Sequence, residues 1–80
     1  MSEHLREVHR AVVSHLLDGE EHDVIAMRRA INQSSNHSHG KIAAATGELI
    51  SADLVLKVKG RDVIRINPEY EPLLRRFARK

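Results

Sequence analysis

Eighty residues with 13 Lys and Arg against 11 Asp and Glu, a formal net charge of +2, make a single small domain over residues 1–80. The lack of cysteine excludes disulfide staples and thiolate metal sites, and no apolar run approaches the roughly 20 residues that span a bilayer. Tyr70 and Phe77 are the only aromatics, too few to build the stacking platforms on which single-stranded nucleic acid is bound.

The N-terminus, Met1-Ser2-Glu3-His4-Leu5-Arg6, is polar and mixed in charge, unlike a secretory signal, so the expected location is the cytoplasm. Ser2 is the N-cap candidate of a first helix over about 3–18, with Glu3 in its first turn. Leu5, Val8, Val12 and Leu16 recur at helical spacing, Val13 and Leu17 widen the stripe, and Gly19 is placed to stop it. Arg6 and Arg10 fall on the outer side, and His4, His9 and His15 read as surface residues.

Glu20-Glu21-His22 is a short acidic link. Asp23 is an N-cap candidate for a second helix over about 24–32, with Val24, Met27 and Ile31 inward and Arg28-Arg29 in its C-terminal half. The non-periodic stretch from Gln33 to Gly40 reads as a loop, with Ser35 or Ser38 as the cap of a third helix. That helix, over about 39–52, buries Ile42, Ala45, Leu49 and Ala52. Its other face, Gly40, Lys41, Ala44, Gly47, Glu48 and Ser51, is almost bare of bulk, which lets another body approach the backbone closely.

Residues 54–67 read as a β-hairpin turning at Gly60. Strand alternation puts Leu54, Leu56 and Val58 on one face and Val55, Lys57 and Lys59 on the other; on the return strand Ile64 and Ile66 share a face, opposite Val63 and Arg65. The expectation is one apolar face and one basic face of Lys57, Lys59 and Arg65, with Arg61 at the tip. Pro68 ends the strand, and Glu71-Pro72 opens a closing helix over 72–79, whose end carries Arg75, Arg76, Arg79 and Lys80. These last cations suit either the helix dipole or a polyanion.

Charge is uneven along the chain. Residues 1–40 hold four Arg against six acids, −2, and residues 41–80 hold nine Lys and Arg against five acids, +4. The basic half points to a polyanionic partner.

The element order, and the step Leu49-Ile50-Ser51-Ala52-Asp53-Leu54-Val55 into a basic hairpin that leaves through Ile66-Asn67-Pro68, resemble the winged helix-turn-helix superfamily, in particular plasmid- and phage-type regulatory or replication proteins. Asp53 stands where that pattern most often has Gly. The resemblance covers about residues 3–77 and implies an α+β fold: three helices, a two-stranded wing and a short C-terminal helix. It also implies duplex DNA as partner, with the third helix in the major groove. Carried over by position, Asn36, His37, Ser38, His39 and Lys41 would face DNA, and Lys57, Lys59, Arg61 and Arg65 would meet phosphates. Asn suits adenine, and Ser and Lys suit phosphate or guanine. The stretch before the third helix is longer than the usual three- or four-residue turn, and that helix carries one outward cation and one anion. Either the loop and wing carry the binding, or the bare face packs on another protein.

His37-x-His39 with His22 falls short of a zinc ligand set, and no nucleophile elbow or phosphate-binding loop is present. The expectation is a non-catalytic protein without cofactor or metal. Because paired half-sites are usual for such domains, a homodimer is expected, with the first and last helices as candidate surfaces.

Overall fold

The computed structural model describes residues 3–79, with side chains from Glu7 onward. The proposed cap Ser2, the stripe residue Leu5, His4 and Arg6 as side chains, and Lys80 lie outside the described residues. The architecture is α+β, with four helices and one small antiparallel sheet: α1 (Glu3–Leu16), β1 (His22–Asp23), α2 (Val24–Ser34), α3 (His39–Ser51), β2 (Val55–Lys57), β3 (Val63–Ile66), a 3-10 turn (Pro68–Tyr70) and α4 (Glu71–Arg79). The sheet order is β1-β3-β2.

The helices form where the apolar spacing places them, and their ends are closed by specific bonds. Val8, Val12, Val13 and Leu16 of α1 are fully buried. Gly19 takes φ +76, and its N–H donates to Leu16 O at 3.2 Å. Asp23 caps α2 by accepting from Ala26 N–H at 2.9 Å. Ser38, rather than Ser35, caps α3 by accepting from Lys41 N–H at 3.2 Å. Ser35 closes α2 instead, its hydroxyl donating to Ile31 O at 2.6 Å. With α2 running to Ser34 and α3 starting at His39, only residues 35–38 connect them. The connection thus has the ordinary length of a helix-turn-helix joint, shorter than the sequence suggested.

At the far end of α3 the chain makes a two-bond cap. Leu54 N–H donates to Leu49 O at 3.1 Å and Asp53 N–H to Ile50 O at 3.0 Å, with Asp53 at φ 63. This is the Schellman arrangement, and its left-handed residue is where glycine is usually found. Asp53, a residue with a Cβ, thus holds a conformation that glycine adopts without cost.

Two expectations about the sheet are corrected. The sheet has three strands, because His22 and Asp23 pair with Ile64 and Val63. The two faces of the hairpin are also exchanged on its first strand. Val55 pairs with Ile66, Leu56 with Arg65 and Lys57 with Ile64. Directly opposed residues share a face, so Val55, Ile64 and Ile66 point into the core, at 1%, 0% and 1% exposure. Lys57, opposite Ile64, is on that same face but exposed, while Leu56 and Arg65 lie together on the other side. A slip of one residue inverts a strand, and here the entry is set by the cap at Asp53.

The core gathers α1, Met27 and Ile31 of α2, Ile42, Ala45 and Leu49 of α3, the inward sheet residues, and Leu74 of α4. Thr46 is buried too, with its hydroxyl donating to Ile42 O at 2.7 Å. Ala52, expected inside, is exposed because α3 ends before it.

Candidate functional site

The residues expected to meet DNA fall into two groups, one at each end of α2. The first residue of α2, Val24, donates its N–H to Asp62 O in the hairpin turn at 3.0 Å. The last residue of α2 leads into the connection carrying Asn36, His37 and Ser38. At 1.5 Å rise per residue, α2 separates the groups by on the order of 15 Å, about half a turn of duplex.

In the first group Asn36, Ser38, His39 and Lys41 are exposed and His37 is half-buried. The connection is held in place from α2: Asn32 Nδ2 donates to His37 O at 2.8 Å, and His37 N–H donates to Ser35 Oγ at 3.4 Å. Ser38 uses an oxygen lone pair for the α3 cap, so toward a ligand it offers its hydroxyl proton. In the second group Lys57, Lys59 and Arg61 are exposed and Arg65 is half-buried. Arg65 Nε is buried without a hydrogen-bond partner among the described residues, and so is Arg28 Nε on α2. The register puts Lys57 and Arg65 on opposite faces, so the cations surround the hairpin rather than forming one basic face. The turn is set by Gly60 at φ +79 and by Arg61 N–H donating to Val58 O at 3.2 Å.

The outward face of α3 is as bare as its composition implies. Gly40, Lys41, Ala44, Gly47, Glu48 and Ser51 are all exposed. A Cβ at Gly47 would meet no atom within 4 Å.

Three residues of α1 lie elsewhere than expected. His9 is buried at 2% exposure, with Nε2 3.2 Å from Glu48 Oε1. Helical arithmetic held the clue: position 9 is four before Val13 and three before Val12, inside the widened stripe. Arg10 is half-buried, its Cζ 5.6 Å from the centre of the Phe77 ring on α4. His15 is partly buried and packs edge-on against His22, with ring centres 4.9 Å apart. His22 Nε2 also faces both Asp18 carboxylate oxygens at 2.9 and 3.0 Å. Burial, then the charge of His22, lowers the His15 pKa against a smaller opposing pull from Asp18. The hydrogen bond from His22, then the Glu20 N–H, lowers the Asp18 pKa. Among the described residues no group of three or more His, Asp or Glu side chains converges as a metal site.

On α4, Arg75 donates to Leu17 O at 3.1 Å and lies 3.7 Å from Glu71. It ties α4 to the end of α1. An apolar cleft of about 220 Å³ is lined by His9, Leu49, Leu54, Leu73, Leu74 and Phe77. The sequence gives no sign of it, since its walls come from three separate stretches of the chain, around His9, residues 49–54 and residues 73–77. No described helix is long and apolar enough to cross a membrane.

No protein-family model matches the chain, and no curated protein or solved structure shows significant similarity to it.

Proposed function

We propose that this chain is a winged helix-turn-helix domain that binds double-stranded DNA without catalysis. It would act in the cytoplasm as a transcription regulator or a replication or partition factor, and as a homodimer on paired half-sites. The observation that carries the reading is the order α1-β1-α2-α3-β2-β3 with two exposed polar groups at the ends of α2: Asn36, Ser38, His39 and Lys41 before and within α3, and Lys57, Lys59 and Arg61 on the hairpin. A capped helix whose leading end is polar suits entry into a major groove, and a cationic hairpin half a turn away suits a phosphate backbone. The four-residue connection at 35–38 adds support, since it is of the length that joins two helices in such motifs. Because the outer face of α3 carries so little charge, phosphate contacts from the hairpin supply most of the affinity in this reading.

The second reading is a protein-interaction module of the same fold, favoured by the open face around Gly47. Mobility shift of a duplex at low and moderate salt separates the two. DNA binding driven by phosphates falls by orders of magnitude over that range. No shift even at low salt rejects the DNA reading and leaves the protein partner.

A further inference from the structure

A cluster of three titratable side chains, His15, Asp18 and His22, sits where α1 hands the chain to β1. None of the three is among the residues proposed to meet DNA. Their position makes them the side anchor of β1, and β1 is the strand that joins the hairpin to the start of α2.

On one edge β1 is held by the hairpin. His22 pairs with Ile64 and Asp23 with Val63, and Val24 N–H follows with a bond to Asp62 O at 3.0 Å. On the other side it is held only through the His22 ring. His22 Nε2 lies 2.9 and 3.0 Å from the two Asp18 carboxylate oxygens, and the ring meets His15 edge-on with centres 4.9 Å apart. Asp18 is fixed in turn by Glu20 N–H at 2.8 Å. A strand of two residues has few ladder bonds, so it opens locally once a side anchor is lost.

The anchor is sensitive to protons because it holds two imidazoles and one carboxylate. Among the described residues the charges acting on His15 are those of His22 from β1 and Asp18 from the link after α1. The charged groups of the helices packed on α1 are engaged elsewhere: Glu48 of α3 with His9, and Arg75 of α4 with Leu17 O and Glu71. Across the ladder β3 offers His22 the apolar Ile64. When both rings are charged, Asp18 offsets one of them, and the second repels its neighbour in a half-buried space.

We propose that His15, Asp18 and His22 form an acid-sensitive latch that fastens β1 and the hairpin to the end of α1, and that protonation of both imidazoles opens it. His15 then leaves the contact, the β1–β3 ladder loses its side support, and the hairpin carrying Lys57, Lys59 and Arg61 loosens from the start of α2. Burial and the charge of His22 lower the His15 pKa in the closed form, so the open form binds the proton more readily. The closed form is therefore complete above the ordinary value of 6.5 and is lost as pH falls below it. The latch goes beyond DNA binding and does not depend on it.

The test is amide hydrogen exchange of the ¹⁵N-labelled full chain between about pH 7.5 and pH 5.5, read as protection factors so that the intrinsic pH dependence of exchange divides out. Protection at His22, Val24 and Ile64 is expected to fall several-fold toward acid, while Ile42, Ala45 and Leu49 of α3 hold theirs. His15→Phe keeps a ring beside His22 and cannot take a proton, so its β1 protection is expected to stay level over the same range. His15→Gln serves the same purpose should the larger ring disturb folding. Level protection at Val24 and Ile64 in the native chain overturns the proposal. So does an equal fall in the native chain and in a folded His15 variant, and so does a fall shared by α3, which is global unfolding rather than a latch.

Discussion

Asn67 donates its side-chain amide to the main-chain carbonyl of Asp53 at 2.7 Å, tying the exit of the hairpin to its entry. The same residue donates its N–H to Leu54 O at 3.0 Å and accepts from Glu69 N–H at 3.1 Å to open the 3-10 turn. One side chain thus fixes both the left-handed turn after α3 and the start of the segment leading to α4. Asn67→Ala is expected to lower stability by about 1–2 kcal/mol, from the lost cap and the lost bond across the hairpin. Urea unfolding followed by circular dichroism checks it, and an unchanged midpoint would remove Asn67 from this role.

Asp53 holds φ 63, a conformation that costs a residue with a Cβ about 1–2 kcal/mol and glycine little. Asp53→Gly is therefore expected to raise stability by roughly 0.5–1 kcal/mol, and Asp53→Val to lower it. Denaturant midpoints of the two variants measure this. If both substitutions destabilise alike, the left-handed turn is not what limits this position.

The exchanged faces of the hairpin give a comparison between neighbours. Val55→Ala is expected to cost about 2–3 kcal/mol, because Val55 is 1% exposed against Ile66. Leu56→Ala, though the larger truncation, is expected to cost under about 1 kcal/mol, since Leu56 stands 38% exposed. Paired denaturation curves decide it, and the reverse order would restore the simple alternation of an apolar and a basic face.

His15 and Asp18 set a pH dependence of one sign. The His15 pKa lies below its ordinary value of 6.5, so the unfolded chain binds the proton more readily. The stability that a neutral His15 contributes is complete above 6.5 and is lost as pH falls below it. The Asp18 pKa lies below its ordinary 3.8, so its contribution is present above that value and is lost as pH falls further. Unfolding midpoints measured between about pH 8 and pH 5 are expected to decline with acid for the native chain, and less steeply for His15→Gln. Equal slopes for the two proteins would show that His15 does not report on folding.

Lys59 and Arg61 are exposed at the hairpin turn. If the hairpin meets phosphates, Lys59→Ala with Arg61→Ala weakens binding to every duplex and lowers the slope of log affinity against log salt by about 0.9 for each phosphate left unneutralised. Fluorescence anisotropy over a salt series measures both quantities. Unchanged affinity would move the DNA-binding surface away from the hairpin.

Local rules made several features legible. Gly19, Asp23 and Ser38 end or begin helices because capping depends on residues within one turn. The exposed basic turn at 59–61 followed from a glycine between two β-branched runs. The cleft was not legible, because His9, Leu49, Leu54 and Leu73 carry no mutual spacing signal. Arg75, whose head group suited two roles equally in sequence, is assigned to Leu17 O by a bond linking positions 58 apart.

By itself the sequence determined the course of the helices, the cap at Asp23 and the stop at Gly19, the hairpin and the uneven charge, all consequences of periodicity and turn chemistry over a few residues. The last helix, expected to be capped by Glu71, instead includes Glu71 as its first residue. Tertiary structure alone decided the rest. β1 is two residues long and has no pattern of its own, existing because β3 offers it an edge. The core took Val55 over Leu56 because the cap at Asp53 sets where the strand begins, and a period of two leaves the choice of face to that start. His9 and Arg10 were drawn inward because α3 and α4 close over α1, bringing Glu48 and the Phe77 ring within reach.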